Sequence, residues 1–266
     1  MKPLPPHHNQ NGTFRNCGKN YEDRGFFDMV KWITTKKSQP RIVFPIVKPD
    51  LTPWLTNDTA GLHALWIGHA TWLLRIRGVT VLTDPIFSDR ATPISSFGPK
   101  RTTPPALTVS ELPDISIVVL SHDHYDHADL PSLRALALKT NSDGSKVRFI
   151  VPLGFARWFK TNGLPVPHEL DWWEHIACCD ATITSTPVQH WCKRGLSGMN
   201  DRLWCGFMIE HKGKKVYFSG DTGYSEDFIQ TYANLGAPDV ALLPIGAYAP
   251  RWFMKPQHIN PEDTQL

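Results

Sequence analysis

The sequence from residue 122 to residue 127 reads His-Asp-His-Tyr-Asp-His and follows the apolar run 115–120. Zinc in proteins prefers neutral imidazole and carboxylate ligands, so this pattern, H-x-H-x-D-H, predicts a metal-binding segment. Ligands packed this densely can serve two adjacent metal ions. The chain must therefore fold so that a buried strand delivers this segment to an edge that more distant ligands can also reach.

The composition is typical of a soluble globular protein. Of the 266 residues, 41% are hydrophobic and 20% are charged, which allows a sizeable core. The formal charge of +3 is too small, and the basic residues are too scattered, to indicate a nucleic-acid partner. No stretch approaches the roughly 18 apolar residues that a membrane span needs, and the N-terminal residues lack an apolar signal core. We therefore expect a protein that does not cross a membrane.

The cysteines favour an intracellular, reducing environment. Five are present, none forms a C-x-x-C pair, and the odd count leaves at least one unpaired. Cys178 and Cys179 are adjacent, which is not a metal-ligand spacing, so we expect no chemical role for them. The predicted location is intracellular and cytoplasmic.

The chain divides into an arm and one larger domain. Residues 1–60 are rich in Pro, Lys and Asn and contain one helix candidate, 26–34, so we predict a covering arm. His7 and His8 are expected to belong to a solvated tail. Residues 61–266 contain short β-rich runs with helices between them. This order favours the α/β (α+β) class, with two sheets enclosed by helices.

Strands and helices are predicted along this domain from the pattern of apolar residues. The predicted strands are 64–67, Thr71–Ile76, Val79–Thr83, 115–120, 148–151, 181–187, Gly206–His211, 215–219 and 240–244. The predicted helices are Leu130–Leu138, 154–161 and 225–235. Arg77-Gly78 is typical of a two-residue hairpin turn, and Asp129 of a helix N-cap. The apolar runs 115–120 and 240–244 are expected to be buried strands.

Side chains with metal-ligand chemistry follow four of these strands. They are Asp84 after Val79–Thr83, His122 after 115–120, His190 after 181–187 and Asp221 after 215–219. Strand ends that each deliver an Asp or a His toward one edge predict a site on a rigid scaffold.

The candidate ligands form two predicted sets. His122 and His124 lie two residues apart in extended chain, so both side chains can face one metal ion. His190 would complete three imidazoles and leave a position open for water, as in catalytic zinc sites. The second set would hold another metal ion a few Å away and comprises Asp126, His127 and Asp221. The last carboxylate lies on a tight Ser-Gly-Asp-Thr-Gly turn and could bridge both ions.

Plainer interpretations remain open for several of these residues. Asp221 could belong to an ordinary glycine turn, and His190 has no neighbouring ligand in the sequence. Asp84 could be a turn or cap residue, or it could accept a hydrogen bond that orients a ligating histidine. His69, in Gly-His-Ala-Thr, is expected to be a packed structural histidine.

In their order along the chain, these motifs resemble those of the metallo-β-lactamase superfamily. The matching segments, between residues 68 and 223, are Gly-His-Ala-Thr, Leu-Thr-Asp-Pro, His-Asp-His-Tyr-Asp-His, His190 and Ser-Gly-Asp-Thr-Gly. The resemblance implies an αββα sandwich with a two-metal site at the edge of the sheets.

A closer resemblance, over most of the chain, is to the N-acyl-phosphatidylethanolamine-hydrolysing phospholipase D family. It rests on residues 83–91, 98–101 and 254–262. It implies a phosphodiesterase with two zinc ions that releases N-acylethanolamine and phosphatidic acid. It also implies substrate contacts at Gln257 and His258, and a catalytic role for Asp126 and His258.

The same resemblance implies that the protein acts as a peripheral enzyme on membrane phospholipid, and family members are often homodimers. The aromatic residues of segments 155–159 and 252–253 are then expected to be exposed for lipid contact. One alternative is a hydrolase of the same fold that acts on a soluble phosphodiester or a lactone. Another is a catalytically silent form that binds lipid or a partner.

The sequence departs from the family pattern near its C-terminal end. The family has a further metal-binding histidine downstream of the segment that matches Gln257-His258, whereas this sequence ends at Leu266. Residues 260–266 are typical of a helix cap and first turn. We expect the last part of the sandwich to be missing, the second metal site to be weakened and an apolar edge to be exposed. A replacement ligand role for His258 is the less favoured alternative.

Overall fold

The computed structural model describes residues 4–18, 21, 24–35, 45, 47–56, 59–93, 98–195 and 197–265. The strands are β1 (Leu62–Gly68), β2 (Thr71–Ile76), β3 (Val79–Thr83), β4 (Ile117–Val119), β5 (Arg148–Pro152), β6 (His168–Leu170), β7 (His175–Cys178), β8 (Ala181–Thr186), β9 (Gly206–His211), β10 (Lys214–Phe218) and β11 (Val240–Leu242). The helices are α1 (Phe26–Thr35), α2 (Thr52–Leu55), α3 (Leu130–Leu138), α4 (Phe155–Thr161), α5 (Asp227–Leu235) and α6 (Arg251–Met254), with 3-10 turns at Val109–Glu111 and Asp263–Gln265.

The first sheet contains β1 to β6 in sequence order. Its first three strands are antiparallel, and β3 to β6 are parallel. Arg77 and Gly78 join β2 to β3 with positive φ angles of 46° and 102°, as a type I′ hairpin turn requires. The hairpin prediction is confirmed. Because β3 and β4 are parallel, the residues that follow them reach the same edge of the sheet.

The second sheet has the order β11-β10-β9-β8-β7 and is antiparallel except for the parallel pair β10 and β11. Of the three β11 residues, only Leu242 is buried, and Ala241 is exposed. The prediction that residues 240–244 form a buried strand is therefore wrong in its burial. The strand lies at the edge of the sheet, and its apolar composition does not reveal that position.

Alternating side chains of the first sheet enter two different hydrophobic cores. Leu74, Val81 and Ile117 point toward the second sheet, where Ile183 and Phe207 meet them. The neighbouring residues belong to a second core under the helices, with members Leu73, Leu82, Val118, Leu133, Leu136, Phe155 and Phe159. This alternation is the period of a strand covered on both faces. Helices α3 and α4 cover one sheet and α5 lies on the other, which gives an αββα sandwich.

Helix α4 is an internal element. Phe155 and Phe159 are fully buried, and the ring of Phe159 lies 5.5 Å from that of Phe149 on β5. The expectation that segment 155–159 exposes its aromatic residues for lipid contact is therefore wrong. The apolar side of the helix faces the first sheet because the sheet offers an equally apolar surface there. In segment 252–253, Trp252 is 38% exposed.

The N-terminal arm contacts the domain closely. Phe14 is buried in the core between the sheets, and Trp54 in the core under the helices. His7 is buried as well, and its ring is bonded to Asp171 in the turn after β6. The expectation of a solvated tail at His7 and His8 is therefore wrong, because both imidazoles find a carboxylate that is distant in sequence.

The elements absent from the sequence predictions are short. They are α2, β6, β7 and α6, with three or four residues each, which is too short for a periodic pattern to show. At the other extreme, no helix among the described residues has the length and apolar character to span a bilayer. Residues 263–265 of the predicted terminal helix turn are a 3-10 turn, and Leu266 lies outside the described residues.

Candidate metal centre

The four predicted strand ends meet at one edge of the sandwich. Asp84 follows β3, His122 follows β4, and both are buried. His190 follows β8 and Asp221 follows β10, so the second sheet supplies the other side of the site. The rings of His122 and His190 lie 4.6 Å apart between their centroids. The structure thus brings together side chains that are up to 137 residues apart (221 − 84).

Three imidazole nitrogens converge in the first part of the site. His122 Nε2 lies 2.8 Å from His124 Nδ1, and His190 Nε2 lies 3.4 Å from the same atom. All three ligand atoms lie within 4.8 Å of one another. Burial, together with the neighbouring imidazoles, holds the pKa of His122 and that of His190 well below the usual histidine value. Neutral imidazoles present lone pairs, so this group suits a divalent cation.

Two carboxylates and an imidazole face each other in the second part. His127 Nε2 lies 3.3 Å from Asp221 Oδ2 and 3.9 Å from Asp126 Oδ2. This nitrogen is buried and has no hydrogen-bond partner among the described residues. An imidazole nitrogen and two carboxylates that face each other in a buried site are ligand types that zinc accepts, so this set also fits a metal ion.

The charges of this second group shift the pKa values of its members. Burial alone would lower the pKa of His127, but the charges of Asp221 and Asp126 outweigh it and raise that pKa well above its usual value. Burial would raise the pKa of both carboxyls, yet His127 holds each below its ordinary range. The two acids are therefore ionised at neutral pH, as metal ligands must be.

Asp84 orients two of the histidines. Its Oδ2 lies 2.7 Å from His127 Nδ1, so the opposite ring nitrogen faces the site. The same carboxylate accepts hydrogen bonds from the backbone N–H and the hydroxyl of Ser121, at 2.7 and 2.5 Å. The Ser121 hydroxyl lies 2.9 Å from His122 Nδ1. Of the two predicted roles for Asp84, the geometry fits the acceptor that orients a ligating histidine.

His190 is fixed by residues that sequence reasoning missed. The side chain of Asn16 accepts the His190 backbone N–H at 3.1 Å and donates to its carbonyl at 2.8 Å. On the other side, His190 Nδ1 lies 3.2 Å from the carbonyl of Gln257. The sequence around Asn16 does not predict its contact with His190, because these two residues lie 174 positions apart.

Gln257 and His258 lie beside the two metal groups. The Gln257 side chain accepts a hydrogen bond from the indole of Trp191 at 2.8 Å. His258 Nδ1 lies 3.7 Å from Asp221 Oδ2, and burial lowers the pKa of this imidazole. The Gln257 side chain therefore braces the His190 loop, while the His258 ring faces the second group.

His69 belongs to the site as well. Its Nε2 lies 3.0 Å from Asp126 Oδ2, and its side chain is 43% exposed. The expectation of a packed structural histidine is therefore wrong. The turn between β1 and β2 holds His69 in the left-handed region, with φ of 51°, and so directs the ring outward over the site. The H-x-H-x-D-H pattern gave no information about this distant turn.

Asp123 lies between His122 and His124, and its side chain points away from theirs. It is buried on the side away from the metal ligands, where Arg202 Nη1 lies 2.6 Å from its carboxylate. Arg194 donates to the Asp123 carbonyl at 2.7 Å. Because successive side chains of extended backbone point in opposite directions, this pair of arginines holds His122 and His124 toward the site.

Comparison with known protein families identifies the fold. Residues 79–265 match the model of the β-lactamase superfamily domain, which is well over half of the chain. The chain belongs to the metallo-β-lactamase superfamily. The predicted fold class is confirmed, since the two mixed sheets and their outer helices have the αββα arrangement of that superfamily.

Curated relatives of this superfamily member include two phospholipases and a hydrolase. N-acyl-phosphatidylethanolamine-hydrolysing phospholipase D 1 of Caenorhabditis elegans is 42% identical over 218 residues, which cover 78% of this chain and 60% of that protein. The mitochondrial protein of the same name from Saccharomyces cerevisiae is 37% identical, over 76% of this chain and 44% of its own length. A metal-dependent hydrolase of Caldivirga maquilingensis is 29% identical over 69% of each chain. The chain thus spans only part of the phospholipases that it matches.

Solved structures show the same superfamily fold at lower sequence identity. An isothiocyanate hydrolase from Delia radicum gut bacteria has a TM-score of 0.58 and 22% identity, covering 76% of this chain and 78% of its own. The diiron β-hydroxylase CmlA from Streptomyces venezuelae has a TM-score of 0.51 and 23% identity, covering 77% and 38%. The site, the family and the curated relatives together support a metal-dependent hydrolase.

Proposed function

We propose that the chain is part of a phospholipase D that hydrolyses N-acyl-phosphatidylethanolamine to N-acylethanolamine and phosphatidic acid. The observation that carries this proposal is the 42% identity to the nematode protein of that name over 218 residues. The donor set supports zinc as the metal, because imidazoles and carboxylates are its usual ligands outside cysteine-rich sites. The metal-dependent hydrolases among the relatives agree with the reaction class.

The candidate ligands form two neighbouring groups, each of which would hold one ion. His122, His124 and His190 would hold one ion, and Asp126, His127 and Asp221 the other. Bound divalent ions stabilise negative charge on phosphoryl oxygens and make water a stronger acid. The buried carboxylate of Asp84 keeps the imidazole of His127 in one orientation throughout.

His258 is the residue best placed to handle a proton beside these groups. Its ring is mostly buried, and its lowered pKa leaves it neutral at pH 7. A neutral imidazole can donate its ring N–H to a phosphate oxygen, and its other ring nitrogen can accept a proton from water. Asp126, held ionised and bonded to His69, keeps a negative charge at the mouth of the site.

Helix α1 supports membrane association. Phe27 and Ile33 are 85% and 58% exposed, and Met29 and Val30 are 42% and 40% exposed. Trp32 of the same helix stacks its ring on Phe253 of α6 at 5.2 Å between centroids. A helix that exposes several large apolar side chains is typical of proteins that lie in a membrane interface. Helix α6 leads directly to Gln257 and His258, so lipid contact at α1 would occur next to the site.

An assay of lipid cleavage tests the proposed reaction. Purified, metal-loaded protein is mixed with N-acyl-phosphatidylethanolamine in detergent micelles, and N-acylethanolamine is measured by mass spectrometry. We expect release by the wild type and by His168→Gln, an exposed histidine on β6, and a loss of at least about 100-fold in His190→Gln. Cleavage of a soluble chromogenic diester without lipid cleavage would favour the soluble-substrate alternative. Cleavage of neither would favour a catalytically silent form.

Vesicle binding tests the role of α1 separately. The double variant Phe27→Ser/Ile33→Ser should sediment less with phosphatidylcholine–phosphatidylserine vesicles than the wild type, because each lost side chain removes apolar contact with the interface. The matched control is Ile229→Ser/Tyr232→Ser, which removes two exposed apolar side chains from α5. Equal binding by all three proteins would remove α1 as the membrane contact.

A further inference from the structure

A second cluster of metal-ligand side chains lies apart from the candidate metal centre. His7 Nε2 lies 2.6 Å from Asp171 Oδ1, and His8 Nε2 lies 2.8 Å from Asp171 Oδ2. The three ligand atoms lie within 4.8 Å of one another. The histidines come from the N-terminal arm, and Asp171 follows β6 in the domain. None of them takes part in the proposed reaction.

The backbone holds each of these side chains in place. His8 forms a β-bridge with Phe14, and the Arg15 N–H donates to the His7 carbonyl at 2.9 Å. The His7 ring stacks on Trp172 at 4.3 Å between centroids and is buried. The backbone N–H of Trp172 donates to Asp171 Oδ1 at 2.8 Å, which fixes the orientation of that carboxylate. The cluster is therefore built by the fold and is not a chance meeting of mobile side chains.

We propose that His7, His8 and Asp171 bind a first-row divalent metal ion such as Zn²⁺. Two imidazoles and one carboxylate are a set that zinc and its neighbours accept, with water completing the coordination. The side chains of His8 and Asp171 are 21% and 16% exposed, so a hydrated ion can reach them. In the metal-free form the Nε2–H of each imidazole donates to the carboxylate. On metal binding each neutral ring would carry its proton on Nδ1 instead, which frees the Nε2 lone pair for the ion.

The consequence of this ion would be structural. Eight residues beyond His8, the side chain of Asn16 holds the backbone of His190 on both sides. Between them, Phe14 is buried in the core that joins the sheets. An ion at His7, His8 and Asp171 would pin the start of this segment to the domain and so stabilise the support of His190.

Metal titration of tag-free protein tests the proposal. The variant His8→Gln retains an N–H that can donate to Asp171 but removes a strong metal ligand, so it separates metal binding from hydrogen bonding. We expect it to bind about one zinc ion per chain fewer than the wild type, measured by elemental mass spectrometry after chelation and reloading. Asp171→Asn should show the same loss. The matched control, His168→Gln, changes an exposed histidine on β6 and should bind as the wild type does.

Thermal unfolding gives a second readout. Added Zn²⁺ should raise the unfolding midpoint of the wild type more than that of His8→Gln, because an ion that binds only the folded state stabilises it by mass action. If His8→Gln and the wild type bind equal amounts of zinc and respond equally in midpoint, the proposal is wrong and the cluster is a hydrogen-bonded clasp alone. Neither result depends on whether the protein cleaves lipid.

Discussion

The imidazole of His127 and the carboxylate of Asp84 form a fully buried pair, with Nδ1 2.7 Å from Oδ2. The two ring nitrogens of His127 therefore have different surroundings. Nδ1 is hydrogen-bonded to Asp84, whereas Nε2 faces Asp126 and Asp221 and has no hydrogen-bond partner among the described residues. A carboxylate behind a ligating histidine fixes its tautomer and raises its basicity. The order of strands β3 and β4 in the first sheet creates this pair.

Asp84→Asn should weaken metal binding at the second group. The carboxylate accepts from His127 and from two donors of Ser121, and an amide can accept at only one of its two terminal atoms. We expect metal affinity there to fall by about 10- to 100-fold, as for other residues behind metal ligands. Competition with a calibrated chelator measures this. Asp143→Asn, in an exposed turn, is the control, and equal affinities in both variants would show that Asp84 does not orient the site.

Asn16→Ala should weaken metal binding at the first group without touching a ligand. The substitution removes both hydrogen bonds that hold the His190 backbone. We expect about a tenfold loss of affinity there, at the low end of the effects seen for supporting residues. The spectrum of bound Co²⁺ reports the geometry directly and should change. Asn234→Ala, on the exposed side of α5, should leave affinity and spectrum unchanged. An unaltered Co²⁺ spectrum in Asn16→Ala would contradict the assigned role.

His69→Ala tests whether the β1–β2 turn contributes to the site. The side chain is partly exposed, so we expect a stability change within about 0.5 kcal/mol. Metal affinity or lipid cleavage should nevertheless fall, because Asp126 loses its 3.0 Å partner. His175→Ala, an exposed histidine on β7, serves as the control for both measurements. A variant that equals the wild type in affinity and in cleavage would show that His69 does not contribute to the site.

Phe159→Ala should reduce stability but not vesicle binding, and Phe27→Ala should reduce vesicle binding but not stability. Phe159 is fully buried under the first sheet, so its truncation should cost about 3–5 kcal/mol of unfolding free energy and leave vesicle binding unchanged in the folded protein. Phe27 is exposed on α1, so its truncation should change stability by less than about 0.5 kcal/mol and reduce vesicle binding. Urea denaturation and vesicle sedimentation separate the two effects. Loss of vesicle binding in folded Phe159→Ala would reverse the assignment.

The sequence was sufficient for the parts of the fold that repeat a pattern. Strands such as Thr71–Ile76 and Val79–Thr83, and helix Leu130–Leu138, have the predicted bounds because their apolar residues are regular over five or more positions. Strands β6 and β7 were missed because three or four residues show no period. The grouping of Asp84, His122, His190 and Asp221 was accessible because parallel strands and short connections bring strand ends to one edge.

The remaining site residues depend on contacts that no local pattern records. Asn16 supports His190 across 174 positions, and His7 and His8 reach Asp171 across more than 160. His69, in Gly-His-Ala-Thr, is predicted from the sequence to be a packed structural histidine. Its position over Asp126 comes from the left-handed backbone of one turn, which the residue type alone does not indicate. Tertiary placement, and not composition, decides these roles.

Acid should destabilise the metal-free protein through the buried histidines of the site. Burial lowers the pKa of His122, His124, His190 and His258 below the ordinary value, while His127 is shifted upward by its carboxylates. Below the unfolded pKa of about 6.5, the unfolded chain binds protons at four positions where the folded chain does not, so its population is favoured. The raised pKa of His127 favours the folded state as the pH falls, but this one histidine is outweighed by the four with lowered pKa values.

The free energy of unfolding of chelated protein should therefore fall as the pH decreases from 7.5 to 5.5. Each such histidine contributes up to about 1.4 kcal/mol per pH unit in this window. His190→Gln should show a shallower fall than the wild type, because one titrating group is removed, whereas the exposed His168→Gln should retain the full slope. Urea denaturation at several pH values measures these slopes. A slope in His190→Gln as steep as that of the wild type would mean that His190 is solvated in the metal-free protein, and the site would then need its metal ions to assemble.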